Sequence, residues 1–171
     1  DVLVILTADH AVCPVPELLE SQHMPGGRMK ADGFAVVQKA LEARFGPGRW
    51  LEGASYSSPY LNYRLIQEKN LDLDEVVRVA ARAVAGSPHV VRVYPRQQFV
   101  ISRGAADRID SRVLRSFNSQ RSGDLEVVLE PYWIQSGGTG TTHGSPYNYD
   151  THIPLVFMGP GIRPGRYYRE D

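Results

Sequence analysis

The chain has 171 residues, with 19 Lys and Arg against 19 Asp and Glu, so its formal net charge at pH 7 is zero. A neutral balance provides no electrostatic attraction to nucleic acid or to an anionic membrane surface. The single cysteine, Cys13, excludes an internal disulfide framework, and no run of about 18 apolar residues is present that could span a membrane. The composition therefore predicts a folded domain with neither a nucleic-acid partner nor a membrane span.

The first ten residues combine an apolar run with a polar pair. Residues 2–6 are apolar and mostly β-branched, which is typical of a strand buried on both faces. Asp9 and His10 follow at its end, where a carboxylate and an imidazole are costly to desolvate without a compensating partner. A divalent metal such as Zn²⁺ accepts both donor types. The alternative is a hydrogen-bonded Asp–His pair that caps the strand.

The segment after this pair is rich in helix breakers. Several proline and glycine residues interrupt 11–31, which predicts an irregular loop over the mouth of a site. A helix is then expected to begin at Asp32 as N-cap and to end before Gly46, because apolar residues recur at helical spacing between them. Segments 50–52 and 59–66 are predicted to be extended.

The middle of the chain predicts an inserted α+β lobe over residues 32–130, with helices on one face of a mostly antiparallel sheet. Its further elements are a helix with the N-cap Asp72, a strand over 89–94, a helix within 104–118 and a strand over 124–129. Five arginines in and around the third helix are predicted to form a solvated, salt-bridged face rather than a phosphate clamp: Arg103, Arg108, Arg112, Arg115 and Arg121.

A glycine-rich loop precedes the last predicted strand. Residues 137–144 read Gly-Gly-Thr-Gly-Thr-Thr-His-Gly and place His143 shortly before the apolar stretch 153–158. Loops at strand ends are where α/β proteins build their sites. A dinucleotide fingerprint fails because His143 occupies the third glycine position, and a phosphate-binding P-loop fails because the segment has no lysine. Asp150 is interpreted as structural, with a hydrogen bond to a ligand imidazole as the alternative.

The two motifs together resemble the alkaline phosphatase superfamily. Thr-Ala-Asp-His follows a hydrophobic strand, and the string from residue 142 reads Thr-His-Gly-Ser-Pro-Tyr-Asn-Tyr-Asp-Thr-His-Ile-Pro-Leu. The second string is most similar to bacterial alkaline phosphatases of the PafA type, then to nucleotide pyrophosphatases/phosphodiesterases, and less to sulfatases. The resemblance implies an α/β fold, in which strands at both chain ends form a partial alkaline-phosphatase-like core around the inserted lobe.

The resemblance also implies a zinc-dependent mechanism. In the family, the Asp-His pair supplies two ligands to one zinc, which here would be Asp9 and His10. The histidine of the Thr-His-Gly-Ser string binds a second zinc, which here would be His143. In the family, the two zinc ions together activate a Thr or Ser nucleophile toward a phosphate ester, and they stabilise the attacking and leaving oxygens.

The remaining family residues do not occur in this sequence. In the family, the nucleophile, a further Asp and an Asp-x-x-x-His pair precede the Asp-His motif, and the glycine that usually follows that motif is replaced here by Ala11. We therefore expect the C-terminal part of a metallo-phosphatase domain, over residues 1–171, that is inactive alone. The resemblance implies a small-molecule phosphate ester as substrate and an extracytoplasmic location. A phosphodiesterase or sulfatase, and a catalytically silent binding module, remain alternatives.

Overall fold

The computed structural model describes residues 1–29, 32, 34–101 and 104–168. Both strands and helices occur along them, and the α/β class is confirmed. The strands are β1 (Val4–Thr7), β2 (Gly27–Met29), β3 (Leu51–Ala54), β4 (Pro59–Leu61), β5 (Val90–Pro95), β6 (Leu125–Leu129), β7 (Trp133–Gln135) and β8 (Leu155–Met158). The helices are α1 (Pro16–Ser21), α2 (Ala35–Phe45), α3 (Tyr63–Glu68), α4 (Leu73–Ala85), α5 (Arg96–Ile101), α6 (Arg108–Ser116) and α7 (Asn148–Thr151).

The strands of the described residues pair two by two. β1 and β8 are antiparallel, with Val4 opposite Met158 and Thr7 opposite Leu155, so they join the two ends of the chain. β2 and β7 are parallel, whereas β3–β4 and β5–β6 are antiparallel. The β1–β8 pair is the element that positions the predicted motifs, because Asp9 and His10 follow β1 and the glycine-rich loop precedes β8.

The main hydrophobic core lies between α2, α4 and the strands β3 to β6. Val37, Leu41, Trp50 and Val76 in it are 0% exposed. The indole Nε1 of Trp50 donates to the carbonyl of Gly46 at 3.1 Å, so its polar atom is satisfied as well. This core is formed almost entirely by residues of the predicted lobe.

The prediction that β1 is buried on both faces is wrong for the described chain. All four residues of β1 and all four of β8 are exposed, and Leu6 and Leu155 reach 62%. The apolar run was correctly predicted to be a strand. Its burial fails because the β1–β8 ladder has only two strands and the main core is elsewhere.

Two local predictions also need correction. Residues 11–31 are not wholly irregular, since they contain α1 and β2. Pro16 begins α1, a position where its missing N–H costs nothing. Residues 59–66 are not wholly extended, because β4 gives way to α3 after Asn62. The Asn62 side chain accepts the backbone N–H of Leu65 at 3.0 Å and so caps that helix.

The helix boundaries differ in how well the sequence predicted them. Asp72 caps α4 as predicted, since its Oδ1 accepts the N–H of Glu75 at 2.8 Å. The helix α2 begins later than predicted, with Phe34 rather than Asp32 at its N-cap, and Phe34 has a left-handed backbone (φ 63°). Among the described helices, none combines the length and apolarity that a membrane span requires.

Candidate metal site

The two predicted motifs meet beside the β1–β8 ladder. The imidazole rings of His10 and His143 are stacked, with centroids 3.5 Å apart and planes inclined by 12°. The Oδ2 atom of Asp9 lies 3.7 Å from Nε2 of His10. All three side chains line one cavity of about 320 Å³. The structure thus brings together the residues predicted to bind metal.

The orientation of His10 is fixed by the backbone next to it. Its Nδ1 lies 2.8 Å from the carbonyl oxygen of Ala11. Because a carbonyl only accepts, Nδ1 is assigned the proton and Nε2 the lone pair. Two zinc ligands at bond lengths of about 2.0 Å lie about 3.3 Å apart in a tetrahedral site. The spacing between Asp9 and His10 Nε2 is close to that value, so this pair fits a shared ion.

Backbone hydrogen bonds connect the segment after His10 to the loop that carries His143. The N–H of Cys13 donates to the carbonyl of Thr142 at 3.1 Å. In the opposite direction, the hydroxyl of Thr141 donates to the carbonyl of Cys13 at 2.5 Å. These bonds hold the segment after His10 beside the segment before His143.

Arg28 is a residue near the site that the sequence analysis did not identify. Its guanidinium binds both carboxylate oxygens of Glu17 in α1, at 2.6 and 2.8 Å, and donates to the carbonyl of Gly140 at 2.5 Å. The hydrogen bonds from Arg28 lower the pKa of the Glu17 carboxyl to about 2. Arg28 therefore links α1 to the glycine-rich loop. Its contact with Gly140 joins residues far apart in the sequence, and no local pattern indicates it.

The predicted solvated arginine face is correct only in part. Arg108, Arg115 and Arg121 are exposed, as predicted. Arg112 instead donates to the carbonyl of Pro146 at 2.8 Å and to Oδ1 of Asn148 at 2.9 Å, which connects α6 to the segment after His143. Arg103 lies outside the described residues.

A complete metal centre is not formed by the described side chains. Among them, no group of three or more His, Cys, Asp and Glu residues has an arrangement that could hold an ion. Zinc usually takes four donors, so two ions would need ligands beyond Asp9, His10 and His143. Metal binding by these three residues therefore stays a prediction.

Comparison with known proteins adds to this geometry. No model of a known protein family matches the chain. It is 29% identical over 168 residues to a protein of Myroides odoratus named calcium-transporting ATPase, covering 96% of this chain and 30% of that protein. It is also 29% identical over 164 residues to the alkaline phosphatase PafA of Elizabethkingia meningoseptica, with coverages of 95% and 30%.

A solved structure supports the same relationship. The crystal structure of wild-type alkaline phosphatase PafA matches with a TM-score of 0.86 at 29% identity, over 95% of this chain and 31% of that one. The resemblance to the alkaline phosphatase superfamily is confirmed. The chain spans about 30% of the length of the curated relatives it matches. What the structure describes is thus a partial alkaline-phosphatase-like fold.

Proposed function

We propose that the chain is the C-terminal part of a two-zinc hydrolase of phosphate monoesters. The observation that supports this most directly is the contact between His10 and His143 beside Asp9, at the point where two distant motifs meet. Both motifs are those on which the alkaline phosphatase resemblance depends. The similarity to PafA in sequence and fold gives independent support at the level of the family.

The donors divide between two ions in this proposal. Asp9 and Nε2 of His10 hold one zinc, and His143 holds the other. Bound zinc supplies Lewis-acid stabilisation of the phosphoryl oxygens during displacement. The carbonyl of Ala11 keeps the lone pair of His10 on Nε2 by accepting from Nδ1. The Thr or Ser nucleophile and the remaining ligands belong to parts of the protein outside these 171 residues.

The exposed β1–β8 ladder supports the proposal that the chain is part of a larger protein. Ile5, Leu6 and Leu155 are 54%, 62% and 62% exposed, which is unusual for a ladder made of apolar residues. We place this ladder in a larger alkaline-phosphatase core and residues 32–130 in a lobe inserted within it. The lobe contains the main hydrophobic core, which agrees with its being a unit. We infer an extracytoplasmic location from the alkaline phosphatase relatives alone.

The test compares the full polypeptide with the segment 1–171. Zinc content is measured by mass spectrometry, and turnover is measured on nitrophenyl phosphate, bis-nitrophenyl phosphate, nitrophenyl sulfate and ATP. We expect about two zinc ions and preferred hydrolysis of the monoester by the full polypeptide. Preference for the diester, the sulfate or ATP would replace the monoesterase assignment with the corresponding one.

The segment alone provides the second arm of this test. We expect it to bind zinc weakly and to turn over none of the four substrates, because three donors cannot complete two sites. Stoichiometric zinc together with turnover by the segment would contradict the proposal that it is incomplete. A full polypeptide without zinc or hydrolysis would contradict the function itself.

A further inference from the structure

Asp150 connects the two halves of the candidate site. Its side chain is only 4% exposed and lines the cavity that contains His10 and His143. Its Oδ2 accepts the backbone N–H of Ser145 at 2.7 Å, and its backbone carbonyl accepts the N–H of Ala11 at 2.9 Å. Ala11 directly follows His10, and Ser145 lies two residues after His143. One residue therefore holds both histidine-bearing segments.

The chemistry of Asp150 is unusual for a purely structural clamp. Its Oδ1 is buried and, among the residues that the structure describes, has no hydrogen-bond partner. A buried carboxylate oxygen without a partner is costly, and a buried unsatisfied polar atom in a native protein calls for an explanation. The described residues thus satisfy only one of the two carboxylate oxygens of Asp150, the one that accepts the Ser145 N–H.

A second buried carboxylate, Asp124, shows the contrast. It is 3% exposed, and both of its oxygens have partners. Oδ2 accepts the N–H of Leu61 at 2.7 Å, and Oδ1 accepts the hydroxyl of Tyr63. Both carboxylate oxygens of Asp124 are thus hydrogen-bonded within the lobe. Asp124 is not among the residues that line the His10–His143 cavity.

We infer that Asp150 is a positioning residue for the proposed zinc pair. It sets the separation of His10 and His143 by binding the backbone on the far side of each, and it does not bind the ions itself. Outer residues of this kind orient metal ligands through hydrogen bonds. This inference rests on the proposed function, and it assigns Asp150 a role through backbone hydrogen bonds rather than through a bond to a ligand imidazole.

The first experiment measures zinc affinity in the full polypeptide by competition with a chromophoric chelator. We expect Asp150→Ala to weaken zinc binding on the order of 10- to 100-fold, because the loop at Ser145 loses its acceptor. Asp150→Asn keeps an oxygen for the Ser145 N–H and is expected to stay within about fivefold of the unsubstituted protein. The matched control Asp124→Ala should lower thermal stability but change zinc affinity by less than about threefold.

The second experiment needs no metal. Stacked aromatic rings shift each other's protons upfield in NMR spectra, so the ring protons of His10 and His143 report their contact. We expect the upfield shifts in the metal-free unsubstituted protein, in Asp150→Asn and in Asp124→Ala, and their loss in Asp150→Ala. If Asp150→Ala does not fold, Asp150→Ser replaces it, since its shorter hydroxyl cannot reach Ser145, and the same losses are expected.

The outcomes separate this inference from the proposed function. Asp150→Ala that keeps both the zinc affinity and the upfield shifts overturns the inference alone. Asp150→Asn that is as defective as Asp150→Ala overturns the role of the hydrogen bond to Ser145. An unsubstituted polypeptide without zinc affinity contradicts the proposed function, and the inference with it, because no zinc pair would remain to be positioned.

Discussion

The imidazoles of His10 and His143 are in face-to-face contact, although they lie near opposite ends of the described chain. The contact depends on the pairing of β1 with β8, which sets the ends of both motifs side by side. Two metal ions in a hydrolytic site are typically about 4 Å apart. Nitrogen donors on two stacked rings are therefore close enough for each ring to bind one of two such ions. The contact between His10 and His143 thus supports the proposed two-zinc site more than either motif does by itself.

Replacement of either histidine should remove metal and activity together. We expect His10→Ala and His143→Ala each to lower zinc content and to reduce kcat/KM on nitrophenyl phosphate by at least about 100-fold, since loss of a ligand should exceed the effect of losing its hydrogen-bond partner. Zinc content and turnover of the full polypeptide check this. Exposed His23 provides the control as His23→Asn, because asparagine tolerates its positive φ of 56°. Equal losses in all three variants would contradict the site.

The Cys13 thiol should react slowly in the folded protein. Burial, followed by the charge of Asp150, raises its pKa to about 11, so about one thiol in a thousand is ionised at pH 8. We expect modification by an aromatic disulfide reagent to be at least about 100-fold slower in the native protein than in guanidinium. A native rate within about tenfold of the denatured rate would show that the contact between the Cys13 segment and Thr142 opens readily.

The sequence predicted elements better where their cause is local. Asp72 was identified as a cap because its acceptor, the N–H of Glu75, is three residues away. The strand β2 was missed because it exists only through its pairing with β7, more than a hundred residues later. The same reason hides the contact of Arg28 with the glycine-rich loop, because its partner Gly140 lies more than a hundred residues later.

The candidate site also combines residues that the sequence could predict with contacts that it could not. Asp9, His10 and His143 could be named because their motifs match a family, and not because any spacing in this chain requires them to meet. The exposure of β1 could not be predicted, since an apolar run specifies a strand but not what covers it. The clamp at Asp150 depends on the backbone N–H groups of Ala11 and Ser145, which carry no side-chain signal.

The ion pair between Arg92 and Asp107 should make stability depend on pH. The guanidinium binds both oxygens of Asp107, at 2.5 and 3.0 Å, and lowers the pKa of this carboxyl from 3.8 to about 2. A lowered folded-state pKa stabilises above the unfolded value and loses its effect as the pH falls through the folded value. We expect Asp107→Asn to melt at a lower temperature than the unsubstituted protein at pH 6, with the gap narrowing as the pH falls from about 4 through about 2. Asparagine keeps an oxygen for the N–H of Asp110, which Oδ1 of Asp107 accepts at 2.9 Å at the start of α6. A gap as wide at pH 2 as at pH 6 would therefore contradict the ion pair as its cause.

Removal of the Asn62 cap should destabilise the lobe by a predictable amount. Its Oδ1 accepts the N–H of Leu65, and its Nδ2 donates to the carbonyl of Arg49 at 2.9 Å, so it both begins α3 and holds the preceding turn. We expect Asn62→Ala, which loses both bonds, to lower the free energy of unfolding by about 1 to 2 kcal/mol. Asn62→Asp keeps the acceptor for Leu65 and loses only the donor to Arg49, so we expect it to lower the free energy of unfolding by less. Chemical denaturation with an unchanged m-value checks both. If alanine and aspartate were equivalent, α3 would not depend on this cap, and the change from strand to helix after Leu61 would need another cause.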